Sequence, residues 1–232
     1  MLLATAVFMA DILLVPLSNK NVIHNAAMAA ESQVVTGSAL EGSTGFSVTD
    51  IAPDIAAEMK IYSWHNGCPV QIKDLRQVYV KYYDYAGNEK SGSLIVHKKL
   101  AAEVQDIFRE LYNVHFRINS IERIDVFHGD DNLSMQADNT SAFNFRSMPG
   151  SKKLSNHAWG MAVDINPLRN PYVTKQGVLP TQGKAWLNRK NVRIGMIVKG
   201  DACYKAFTKR GWKWGGNYKS LKDYQHFEKA VY

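Results

Sequence analysis

Residues 155–166 read SNHAWGMAVDIN. A histidine is followed seven positions later by an aspartate, with small and apolar residues between. GMAVDI has the pattern of a short strand, with Met161, Val163 and Ile165 facing one way and Ala162 and Asp164 the other. A carboxylate in so apolar a strand is costly unless it is paired or binds a cation. Gly160 lets the chain bend just after His157, which brings that imidazole back toward Asp164. Taken alone, the pair also reads as a buried His–Asp hydrogen bond.

The end of the chain supplies a second half. It carries DYQHFE, with Asp223 three residues before His226. As a strand, HFE sets His226 and Glu228 on one face and Phe227 on the other, toward a core. His157, Asp164 and His226 then make a two-histidine, one-carboxylate set, which suits catalytic Zn2+ with a fourth position open for water. Asp223 remains as a carboxylate near the metal, placed to take a proton from that water. The two histidines need acceptors for their second ring N–H groups, with Glu228 a candidate for one of them.

Between and before these halves the signals are mixed. Residues 54–64 read as helical in their first part. Residues 74–84 alternate, with Val78, Val80 and Tyr82 on one face, and pair as a hairpin with 91–97 across YAGN. KLAAEVQDIFRELY, residues 99–112, is the clearest helix, and its apolar stripe should cover the hairpin. Residues 121–127 suggest another strand, 171–183 a loop, and 199–209 a helix ended by Gly211. Strands and helices do not alternate strictly. That predicts an α+β domain with a small antiparallel sheet flanked by helices, the metal site lying on the sheet.

Composition bounds the organisation. The chain has 232 residues with 46% hydrophobic, enough for one substantial core. Residues 2–17 are apolar but shorter than a spanning helix needs, and NAAMAAES follows with the small residues of a cleavage site. We expect a signal peptide over 1–30, a Ser/Thr/Gly-rich linker over 31–48 and the catalytic domain over 49–232, hence an exported protein without a stable membrane span. Loss of the signal removes Lys20 and Asp11, so the formal net charge of +7 is unchanged. That charge suits an anionic partner. Its basic residues read as scattered, and no nucleic-acid-binding motif is present. Two cysteines, Cys68 and Cys203, are too few for a four-thiolate metal site and leave a disulfide or two thiols open.

With these motifs in view, the sequence resembles a known family. SNHAWGMAVDIN is similar to the S-x-H-x-x-G-x-A-x-D motif of the M15 metallopeptidases, the D-alanyl-D-alanine carboxypeptidases and L-alanyl-D-glutamate endopeptidases of the bacterial wall. WKWGGNYKSLKDYQHFE resembles the closing W-G-G…D-x-x-H-F motif, and DNTSAFNFR and NPLRNPYV resemble one branch of the same family. The resemblance implies a hedgehog/DD-peptidase-like fold, zinc on His157, Asp164 and His226, and Asp223 as the catalytic carboxylate. It implies that Arg146 binds the substrate's carbonyl or carboxylate and steadies the oxyanion, and that Ser155 orients substrate or caps a turn. The implied partners are peptidoglycan peptides, met by a monomer. Tyr218 and Lys213 depart from the endopeptidase pattern, where many members have Trp and Glu, which bears on substrate preference. The rival reading is a wall-binding or signalling module that keeps zinc without turnover.

Other residues read as structural. His24, His65, His97, His115 and His128 have no partner at ligand spacing. Asp130 and Asp131 read as a short acidic loop, solvated or able to bind a cation, Asn139-Thr140-Ser141 as an idle glycosylation pattern, and Trp159, Trp212 and Trp214 as core, rim or cleft aromatics.

Overall fold

A computed structural model describes residues 45–231. The expected signal peptide and linker residues 31–44 lie outside the described residues, as does His24. The last residues of the stretch expected as linker are ordered: Ser47–Thr49 forms β1, antiparallel to the next strand.

The fold is α+β, built from several small sheets rather than one. The first sheet is β1 with the long hairpin β2 (Leu75–Tyr83) and β3 (Glu89–His97). Val78, Val80 and Tyr82 are buried on one face, as their alternation predicts. Helix α2 (Ala101–Asn113) covers that face with Val104, Ile107, Phe108 and Leu111. At its root the hairpin is buried on both faces. Leu75 and Ile95 pack there with Met59 of helix α1 (Pro53–Tyr62), Val70 and Phe143. Pro53 opens α1, where a missing N–H costs nothing. This root touches the candidate site directly: His97 N–H donates to the Gly160 carbonyl at 2.9 Å, and Phe143 N–H to Ile95 at 3.0 Å.

The strand expected over 121–127 is only partly present. Ser120–Ile121 forms β4, parallel to β5 (Asn139–Thr140). Ile124–Phe127 is instead a 3-10 turn ended by His128 in the left-handed region, φ 56°. Ile121 and Ile124 are buried while Val126 is exposed, a spacing of three that a strand cannot satisfy. Arg123 fixes the turn, its guanidinium 2.6 Å from Glu58 on α1. Helix α3 (Asp131–Gln136) follows, capped by Asp130, which accepts from Asn132 and Leu133 N–H.

The second half of the chain builds the site. Strand β6 (Ala162–Asp164) lies beside β11 (His226–Glu228), which in turn pairs with β9 (Lys213–Trp214). The stretch expected as loop after Pro171 forms β7 (Tyr172–Val173) and β8 (Val178–Leu179), with β10 (Lys222–Asp223) on the other side of β7. Helix α4 (Ala202–Thr208) is shorter than expected, because the Asp201 carboxylate caps it through Tyr204 N–H at 2.7 Å. Phe227 points to the core and stacks on Phe207 at 4.1 Å between centroids. Trp212 and Trp214 are buried in the same core, so neither lines a cleft. Trp159 is exposed and borders a cleft of about 460 Å³ with Val70, Asn156 and Met161.

Cys68 and Cys203 are free thiols in different packing clusters. The Asn139 pattern is buried, and the Asn139 amide bonds to the Glu122 carbonyl and the Ser134 hydroxyl. No helix among the described residues is long and apolar enough to cross a membrane.

Candidate metal centre and active site

His157 sits in the 3-10 turn Asn156–Trp159. Ser155 caps this turn, its hydroxyl accepting from His157 N–H at 3.3 Å. Gly160 closes it with φ 65°, and a Cβ there would lie 2.6 Å from His97 N. Only glycine allows both that backbone and that approach to the hairpin. The chain then enters β6, which carries Asp164 at its end. His226 opens β11 directly opposite Asp164 in the antiparallel register.

The three predicted ligands converge, all buried, with ligand atoms within 4.8 Å of one another. His157 Nε2 is 3.1 Å from Asp164 Oδ2, His226 Nδ1 is 2.9 Å from Asp164 Oδ1, and the two nitrogens are 3.2 Å apart. Four ligands at zinc bond lengths stand about 3.3 Å apart along a tetrahedral edge. The remaining ring nitrogens face acceptors. His157 Nδ1–H donates to the Ala142 carbonyl, and His226 Nε2–H to Glu228 Oε2 at 3.3 Å. Each outer bond turns the other ring nitrogen inward, as ligating histidines require. Glu228 is itself held by the Asn156 amide and the Tyr218 hydroxyl.

Electrostatics favour positive charge here. Burial alone would raise the Asp164 carboxyl, but His157 and His226 more than offset it and hold it far below the usual range. Burial alone would lower His226, yet its bonds to Asp164 and Glu228 push it up to about 10. Its bond to His226 is the main force holding Glu228 down to about 2. The donor set and the spacing fit a divalent cation.

A cavity of about 330 Å³ opens onto this set. Asp223, Arg146 and Ser155 line it, as does Tyr218, the departure from the family pattern. Burial raises the Asp223 carboxyl to about 7, with His226 pulling the other way. Its Oδ1 is buried without a hydrogen-bond partner, and so is Arg146 Nε. Both belong to residues that line this cavity, and a buried polar atom without a partner calls for one. Gly215 presses on Asp223: a Cβ there would stand 2.5 Å from the Asp223 carbonyl oxygen and 2.7 Å from its Cβ.

Asp131 is the residue the sequence reading missed. It is not a solvated loop acid but lines the cavity, its Oδ2 3.0 Å from Arg146 Nη2. Nothing in the local sequence marks it, since 15 positions separate it from Arg146. Lys213 is exposed on β9, opposite Glu228 in register.

Neither the comparison with curated proteins nor that with solved structures finds a match. Residues 149–229 match the family model described as D-alanyl-D-alanine carboxypeptidase. That segment carries His157, Asp164, Asp223 and His226, and its match supports a place for the chain among the M15 peptidases.

Proposed function

We propose that this chain is a zinc-dependent peptidase that hydrolyses peptidoglycan stem peptides, releasing a terminal D-alanine as a D,D-carboxypeptidase. The observation that carries the reading is the convergence of His157, Asp164 and His226 beside the unpartnered Oδ1 of Asp223. Zinc held by the three ligands supplies Lewis acidity toward the scissile carbonyl and the attacking water.

The chain's own residues do the rest. Asp223 takes a proton from the attacking water and passes it to the leaving amine. Burial suits it to both tasks by raising its carboxyl, and a nearby cation draws it back down. Arg146 binds the terminal carboxylate or the developing oxyanion with its guanidinium. Ser155 holds the His157 turn and presents its hydroxyl at the cavity wall. Ala142 and Glu228 fix the two imidazoles. All these groups come from one chain, in keeping with a monomer, and the small sheet carrying them suits a hedgehog/DD-peptidase-like fold. We place its action outside the cytoplasm, after export directed by residues 1–30.

A second reading, an endopeptidase at the L-Ala–D-Glu bond, has one observation behind it. The cavity continues past Tyr172 and Leu179 into a further groove of about 570 Å³ bordered by Pro149 and Lys184. That leaves room for more peptide than one terminal residue. An inactive wall-binding module has less support, because Asp223 is present and lines the cavity beside the three ligands. Mass spectrometry of purified stem peptides, incubated with and without a chelator, tests the proposal. Loss of a terminal alanine is the expected mass change. Cleavage between L-Ala and D-Glu would favour the second reading, and no chelator-sensitive cleavage would reject both.

A further inference from the structure

The net charge of this protein is concentrated. Between Asp164 and Asp201 the chain holds seven Lys and Arg residues and no Asp or Glu. The whole chain has 28 basic and 21 acidic residues, so the remainder is balanced. The basic residues look scattered because they are evenly spread; the acids are what is missing from this segment. Among the described residues, Arg169 alone of the seven has a carboxylate within ion-pair distance, Asp138 at 3.8 Å.

The same segment exposes aliphatic side chains. Leu187 is 40% exposed, Val192 54% and Ile194 55%, all within eight positions. They belong to one folded-back loop, in which the Arg193 guanidinium lies 3.6 Å from the Trp186 ring centroid and bonds to the Ala185 carbonyl at 2.6 Å. Val192 and Ile194 flank Arg193 in sequence, and Leu187 follows Trp186. The loop is braced from within. Arg189 donates to the Arg169, Trp186 and Ile197 carbonyls and to Asn170 Oδ1, and lies over Tyr224. Arginines thus hold the loop, while Lys184, Lys190 and Lys199 stay exposed and free of acid partners.

We propose that the loop 184–194, with Lys199 beside it in sequence, docks on an anionic lipid bilayer. Exposed aliphatics set among unpaired lysines combine the two attractions that hold proteins at a membrane interface, apolar insertion and charge. A soluble polyanion would use the lysines alone and leave the aliphatics without purpose. Lys184 also borders the groove beyond the metal cavity, but Lys190, Val192, Ile194 and Lys199 line neither, so the inference can be tested apart from the catalytic reading.

Co-sedimentation of the full chain with vesicles of phosphatidylglycerol or of phosphatidylcholine tests it, with salt varied. Binding is expected to phosphatidylglycerol only, weakening as salt rises. The Lys190→Gln/Lys199→Gln variant should bind about fivefold more weakly per lysine removed. The Val192→Ser/Ile194→Ser variant changes no charge, and should weaken binding by about tenfold or more. Both should keep the wild-type melting temperature and peptide cleavage. Equal binding to both lipids, sedimentation with neither, or an unaltered Val192→Ser/Ile194→Ser variant would each overturn the proposal; the last would assign the patch to a non-lipid polyanion.

Discussion

Arg146 and Asp131 meet at the cavity wall, Nη2 to Oδ2 at 3.0 Å, and both side chains are largely shielded from water. The carboxylate occupies one edge of the guanidinium and leaves the buried Nε without a partner. Asp131 therefore fixes where Arg146 can point. Replacing Arg146 by Ala should lower kcat/KM by about 10²–10³-fold, the loss typical of an oxyanion donor. Asp131→Asn keeps the arginine but loosens it, and should cost about 10–100-fold with zinc content unchanged. Steady-state kinetics with metal analysis separates the two. Equal activity in Asp131→Asn and wild type would show that the ion pair is only structural.

Glu228 holds the outer nitrogen of His226 and is held in turn by Asn156 and Tyr218. Outer partners of this kind set ligand orientation, and their loss costs about 10–100-fold in metal affinity. Glu228→Ala should weaken zinc binding by that factor in competition with a chromophoric chelator. Glu228→Gln keeps an acceptor and should fall between the variant and wild type. Unchanged affinity in Glu228→Ala would remove Glu228 from the metal centre.

Gly215 explains part of the closing W-G-G run. A methyl group there would collide with the carbonyl oxygen and Cβ of Asp223. Gly215→Ala should therefore displace the catalytic carboxylate and reduce kcat by about 10²-fold, with zinc stoichiometry retained. Full activity in this variant would mean that the 214–223 segment relaxes without moving Asp223.

The strand that carries His226 rests on Phe227, stacked on Phe207 and fully buried. Phe227→Ala should lose about 3–5 kcal/mol of stability. For a chain of this size the melting temperature should fall by roughly 2–4 °C per kcal/mol. A melt unchanged within error would show that Phe227 does not anchor the site.

Local pattern made the ligand half of this site legible, and distance hid the rest. Asp164 and His226 sit in short strands whose period fixes the face, and strand pairing sets them opposite each other; His157 joins them from the turn that Gly160 closes. The β2–β3 hairpin and α2 were readable for the same reason. Residues 121–127 misled because their apolar content resembles a strand, while the buried positions, Ile121 and Ile124, are three apart. The paired two-residue strands β7, β8 and β10 are too short to show any period. Asp131 escaped because its partner is remote in sequence and no motif joins them. The acid-free segment was overlooked for a different reason: counting bases alone conceals a missing counter-charge.

The central claim is that His157, Asp164 and His226 hold one zinc ion together. Elemental analysis of the purified chain after zinc loading and gel filtration tests it most directly. One zinc per chain in the wild type, and loss of stable zinc in each of His157→Ala, Asp164→Ala and His226→Ala with the fold retained, is the predicted result. A wild-type chain that takes up no zinc, or variants that keep it at full stoichiometry, would contradict the account.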